Sequence, residues 1–134
     1  MKKSLITILM VFTFLSILVG CEKKEVLVDV VVTYWNGWDS SYVSPVEEYE
    51  FNVKEKSSFE VVNANGGKLV VTIEKVSNKE VAITTDKDMC IHGNDGTILT
   101  DYTKSFTIPV DGELTIVTPT SDEGILYTFK IRRE

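Results

Sequence analysis

Few residues in this chain have the chemistry to act, and they sit in two stretches. Asp86-Lys87-Asp88-Met89-Cys90-Ile91-His92-Gly93-Asn94-Asp95-Gly96 contains the only histidine and one of the two cysteines. If this stretch is extended, Cys90 and His92 fall on one face, and a thiolate with an imidazole is a soft-metal pair. Two ligands do not close a site, so no metal is expected here. Read as oxygen ligands, Asp86-x-Asp88-x-Cys90 breaks the EF-hand pattern at its third ligand and lacks the glycine that follows. A loose oxygen site is then the alternative to a solvated loop of turn formers. Side chains two apart on a strand aim in parallel, which disfavours a Cys90–His92 nucleophilic dyad. Gly-x-Ser-x-Gly, His-Glu-x-x-His and a phosphate-cradling glycine loop are all absent from the sequence. Neither catalysis nor a cofactor is expected.

The second stretch, Tyr34-Trp35-Asn36-Gly37-Trp38-Asp39-Ser40-Ser41-Tyr42, gathers both tryptophans and two of the five tyrosines. Rigid rings beside Asn and Asp can stack on a sugar or grip a peptide at little entropic cost. Trp35, Trp38, Asp39 and Tyr42 are therefore the candidate ligand-binding residues. The competing reading is that Tyr34 and Trp35 plug the open end of a sandwich, which leaves Trp38 and Tyr42 as the exposed pair.

Short apolar alternations separated by Gly, Asn, Asp, Ser and Pro must position these residues. The runs are Val26–Trp35, Val46–Val53, Ser58–Val62, Lys68–Val76, Glu80–Thr85, Ser105–Ile108, Glu113–Thr118 and Ile125–Arg132. Their spacing predicts an all-β fold, a small antiparallel β-sandwich of about seven or eight strands. Two hairpins are expected at the level of register. A three-residue loop Ala64-Asn65-Gly66 pairs Val61 with Leu69 and Phe59 with Val71; Val110-Asp111-Gly112 likewise pairs Ile108 with Leu114 and Phe106 with Ile116.

Asp122-Glu123-Gly124-Ile125-Leu126-Tyr127 resembles the Asp-x-Gly-x-Tyr lead-in to a late strand of immunoglobulin-like domains, whose tyrosine hydroxyl closes a corner. The resemblance implies an immunoglobulin-like sandwich in the broad sense. It departs from the pattern in three ways: one extra residue precedes Tyr127, Phe129 stands where the disulfide cysteine would be, and no strand follows.

The chain opens with Met1-Lys2-Lys3 and an uncharged, mostly apolar run to Gly20, the layout of a secretory signal peptide. Leu18-Val19-Gly20-Cys21 resembles the lipobox of bacterial lipoproteins, in which the cysteine thiol receives a diacylglycerol and the peptide before it is removed. The resemblance implies a signal peptide over 1–20, cleavage between Gly20 and Cys21, and a lipid on Cys21. A short linker, 21–24, would then lead into a β-sandwich domain over 25–134. Two acyl chains make a durable anchor where one would be marginal, and the implied location is the membrane, facing away from the cytoplasm.

Removing 20 residues from 134 leaves 114, room for one domain. All 20 acidic residues remain and two of 14 basic ones go, so 12 against 20 gives a net charge of −8. That sign excludes a nucleic-acid footprint and opposes lying flat on anionic lipid, with Lys23 and Lys24 beside the anchor as the exception. Cys90 is then the only thiol left, so folding relies on the core rather than a disulfide. The expected function is a membrane-anchored binding or structural module for a protein or carbohydrate at the cell surface. A loop-presenting protease inhibitor is the alternative, but the Asn-Pro-Thr-Thr-Gly and Arg-Pro-Trp signatures of chagasin-like inhibitors are absent. A lipid-anchored enzyme stands behind that.

Overall fold

The computed structural model describes residues 24–39, 41–93, 97, 101–120 and 123–132. The expected signal peptide over 1–20 and the expected lipid-bearing Cys21 lie outside these residues, as do Ser40, Asn94, Asp95, Gly96 and Asp122.

Eight strands follow in chain order: β1 (Glu25–Asn36), β2 (Glu47–Lys54), β3 (Ser58–Val62), β4 (Lys68–Val76), β5 (Glu80–Ile91), β6 (Thr103–Pro109), β7 (Glu113–Val117) and β8 (Glu123–Arg132). All pairings are antiparallel, and no helix occurs among the described residues. The fold is the small all-β sandwich that the spacing predicts. One sheet runs β2-β1-β8-β7 and ends on the last residues of β5; the other runs β3-β4-β5-β6.

Alternation sets the faces. Val26, Val28, Val30 and Val32 of β1 point inward and are buried, opposite Tyr127, Phe129 and Ile131 on β8. Leu69, Val71 and Ile73 of β4, with Val81 and Ile83 of β5, supply the other inner face. β-Branched side chains suit such a half-buried pleated surface.

The two sheets share β5. Its alternation stops at Asp86–Asp88, which are exposed, and its register shifts between Thr84 and Met89 before Cys90 and Ile91 pair with β7. The strand survives this bend because its polar groups find partners. The buried Thr85 hydroxyl donates to the Lys87 carbonyl at 2.7 Å, Asp86 accepts the Val70 amide at 2.9 Å, and Lys87 donates to the Lys68 carbonyl. On the opposite side, β2 and β3 are joined by side chains instead of a ladder. Phe51 stacks on Phe59 with ring centroids 4.5 Å apart, and the Tyr49 hydroxyl donates to the Val62 carbonyl at 3.0 Å. The sandwich is thereby almost closed into a barrel.

One expected hairpin forms and the other does not. Val61 pairs with Leu69 and Phe59 with Val71, and Gly66 takes the left-handed conformation at φ 83°. By contrast, Phe106 and Ile108 pair with Ile83 and Val81 of β5, while Leu114 and Ile116 pair with Phe129 and Tyr127 of β8. The turn that Gly112 closes by donating to the Pro109 carbonyl carries the chain from one sheet to the other. Tyr127 lies buried within β8, and its side chain faces Asn63 of the β3–β4 connection.

The strands run between two ends. The base holds Lys24 and the connections 55–57, 77–79 and 110–112: Glu55 donates its amide to the Lys24 carbonyl, Lys24 Nζ to Val76, and the Val110 amide to Lys79. The far end holds the described residues of the connections 37–46, 63–67, 92–102 and 118–122.

Candidate functional site

β1 carries the aromatic run to the far end, where its alternation relaxes and Tyr34, Trp35 and Asn36 become half-buried. Short-range bonds shape the connection that follows. Asn36 Oδ1 accepts the Trp38 amide at 2.9 Å, and Asp39 Oδ1 accepts both the amide and the hydroxyl of Ser41, at 3.0 and 2.6 Å. Those bonds hold the Asp39 carboxyl below its ordinary range. The Tyr42 amide reaches back to the Asp39 carbonyl, and Ser44 Oγ accepts the Tyr34 amide at 2.7 Å. Side-chain oxygens of Asn, Asp and Ser thus replace the ladder at a strand exit, as these residues do in turns.

Glu47, the first residue of β2, ties this end together. Its Oε1 accepts the Tyr49 hydroxyl and the Ala64 amide, both at 2.7 Å, and its Oε2 accepts the Tyr34 hydroxyl. Burial works to raise the Glu47 pKa, but the hydrogen bonds from Tyr34, Tyr49 and Ala64 outweigh it and hold the carboxyl low. Burial and then Glu47 itself push the Tyr34 hydroxyl well above its ordinary value. Asn63, 3% exposed, organises the next connection: its Oδ1 accepts the Asn65 and Gly67 amides at 2.9 and 3.1 Å. Its Nδ2 is buried toward Tyr127 without a partner in hydrogen-bond geometry among the described residues.

Between these connections and the start of β8 lies a cleft of about 440 Å³. Trp35, the partner of Gly124 across the β1–β8 pair, forms one wall. Gly124 is required there, because a Cβ would sit 2.4 Å from Trp35 Nε1 and 2.6 Å from Thr118 Oγ1. The indole N–H is buried and has no acceptor among the described residues. Tyr42 enters the same cleft from the β1–β2 connection and Asn65 from the β3–β4 connection, while Thr120 and Glu123 come from the approach to β8.

The structure therefore brings two of the four sequence candidates, Trp35 and Tyr42, into one cleft. Trp38, 79% exposed, and Asp39 lie on the connection but outside the cleft lining. Glu47, Asn63, Asn65, Thr120 and Glu123 were not legible as site residues. They come from different parts of the chain, with Glu47 opening β2, Asn63 and Asn65 in the β3–β4 connection, and Thr120 and Glu123 leading into β8, so no local spacing joins them. Cys90 is buried at 2% exposure beside Val117, and burial followed by the charge of Asp101 raises its thiol pKa. His92 hydrogen-bonds through its amide to Thr115, and no group of three or more metal-ligating side chains occurs among the described residues.

Every large hydrophobic residue exposed among the described residues lies at or beside the far end: Trp38, Tyr42, Val43, Val46, Val62 and Tyr102. No family model, curated protein or solved structure matches this chain.

Proposed function

We propose that this protein is an outward-facing lipoprotein, anchored through a lipid on Cys21, whose sandwich binds a ligand at the cell surface with its far end. The observation that carries this reading is polarity along β1. Lys24, three residues from the proposed anchor, is fastened to the base by its carbonyl and its ammonium, whereas Trp38 and Tyr42 follow the opposite end of the strand. Twelve residues of β1 span roughly 40 Å. A lipid at the base thus leaves the aromatic end facing away from the bilayer. Exposed apolar side chains gathered at one end are the usual mark of a contact surface. Binding suits this end better than catalysis, because the Glu47 carboxylate is engaged by Tyr34, Tyr49 and Ala64 and is not free to move protons.

Replacing the anchor residue tests the reading. Cys21→Ala is expected to leave a larger, unprocessed precursor, while the wild-type protein fractionates with membranes and carries a diacylglycerol mass on Cys21. A wild-type mature N-terminus that is unmodified, or cut elsewhere, overturns it.

A further inference from the structure

We infer that the far-end cleft is a saccharide site that takes an uncharged sugar chain; the inference rests on the proposed binding role and names its ligand class. A sugar ring presents apolar C–H faces and a rim of hydroxyls, and the cleft offers a partner for each. Trp35 and Tyr42 supply aromatic surface, which gives large contact area at little entropic cost. Asn36, Asn65, Thr118 and Thr120 bring carboxamides and hydroxyls that both donate and accept.

Two details point to a ligand rather than to a surface that is merely polar. The indole N–H of Trp35 is buried with no acceptor among the described residues, although buried donors are normally paired. The nitrogen lies beside Gly124, Thr118 and Thr120, all on the cleft wall, so a ligand hydroxyl reaches it as an acceptor once those threonine side chains turn aside. The Asn65 and Glu123 side chains line the cleft, while the bonds that hold these two residues run through the Asn65 amide and the Glu123 carbonyl of the backbone.

Charge narrows the class. No lysine or arginine lines the cleft and Glu123 does, so a phosphate, sulfate or uronate would meet a carboxylate without a compensating cation. The connection 37–46 likewise contains Asp39 and no basic residue. A volume of about 440 Å³ lies within the range of small-molecule sites, roughly 300 to 1,000 Å³, and the cleft opens at the end of the sandwich, where a longer chain can run past.

The full chain in detergent micelles is titrated with an N-acetylglucosamine tetramer and a glucose tetramer, with tetragalacturonate as the anionic control, and followed by tryptophan fluorescence and calorimetry. Saturable binding of an uncharged tetramer and none of the galacturonate is expected. Tyr42→Ala is expected to weaken that binding about three- to tenfold with an unchanged melting temperature, and Asn65→Ala to weaken it at the same wild-type stability. The assignment is overturned by the absence of binding by both uncharged tetramers up to about 10 mM, by equal binding of tetragalacturonate, or by binding indifferent to Tyr42→Ala and Asn65→Ala. The membrane fractionation of Cys21→Ala is independent of this titration, so the anchor and the sugar site fall separately.

Discussion

The two ends of the sandwich solve the same problem, turning a strand back, with different chemistry. At the base the connections are short and closed by backbone bonds: Ser57 to Lys54, Gly112 to Pro109, Ser77 to Glu80. They carry charges of both signs, with Glu55 next to Lys56 in one and Asp111 in another whose Val110 bonds to Lys79, and none of the exposed large hydrophobics lies there. At the far end Glu47 accepts from β1 and from the β3–β4 connection, Asn63 collects the amides of its own connection, and five aromatic or branched side chains on residues 37–62 stand in solvent. The base shows how little this fold needs to make its turns. The exposed side chains that the far end adds are therefore poor candidates for folding machinery and good ones for contact.

The largest contrast is expected between Glu47 and its counterpart at the base, Glu55. Glu47 accepts three donors, whereas Glu55 accepts the Val76 amide at 2.8 Å. Glu47→Gln removes one charged acceptor oxygen and should cost about 1 to 2 kcal/mol after solvent screening; Glu55→Gln keeps an acceptor for Val76 and should cost under about 1 kcal/mol. The acid response carries the same information. The Glu47 pKa is lowered in the fold from 4.5, so its contribution is complete above that value and is lost as pH falls through the native pKa. Urea midpoints of wild type should thus fall more than those of Glu47→Gln between about pH 7 and pH 3. Glu74, held low by Thr84 and Lys56, and Asp39, held low by Ser41, are present in both proteins and cancel in the difference. Parallel midpoints would mean that the carboxylate does not organise the far end.

A smaller contrast separates the two glycines that sequence reading treated alike. Gly66 sits at φ 83° with nothing within 4 Å of an added Cβ, so Gly66→Ala pays conformational strain alone, about 1 to 2 kcal/mol. Gly112 has no positive φ, and an added methyl meets the Pro109 ring at 2.9 Å, which a change of pucker relieves. Gly112→Ala should cost under about 1 kcal/mol, part of it offset by the stiffer unfolded chain. Equal losses in urea melts would show that the two loops share a conformation after all.

These glycines also mark what was legible. Ala64-Asn65-Gly66 could be read because its determinants are local: Gly66 for the left-handed residue and Asn63 for the amides it collects. Val110-Asp111-Gly112 could not, because alternation says which face a side chain takes but not which strand lies beside it. Ile108 finds as good a partner in Val81 as it would have in Leu114. Similarly, β5 was expected to stop at Thr85, where alternation fails. It continues because Thr85, Asp86 and Lys87 all find partners, two of them on β4. At the site, Trp35 and Tyr42 were visible as an aromatic cluster, while the polar half of the cleft is assembled from the end of β1, the β3–β4 connection and the approach to β8, and only the fold brings it together.

The smallest expected effect on stability is the one that bears most on function. Trp38 is 79% exposed, and its amide, not its ring, is held by Asn36. Removing an exposed side chain of this kind changes stability by no more than about 0.5 kcal/mol, whereas truncating a packed tryptophan costs about 3 to 5 kcal/mol. Urea melts of Trp38→Ala decide between the two. Acrylamide quenching gives a second reading of the same contrast: most of the quenchable emission of the wild-type protein should come from Trp38 and disappear in the variant, leaving Trp35, whose indole nitrogen is buried against Gly124. A loss above about 3 kcal/mol would make Trp38 part of the packing that closes the sandwich and remove the difference between the two ends. A melt that does not move leaves a large aromatic side chain in water with no role in folding, at the end of the molecule farthest from Lys24, and contact with a ligand is the physical role that such an exposed ring can still serve.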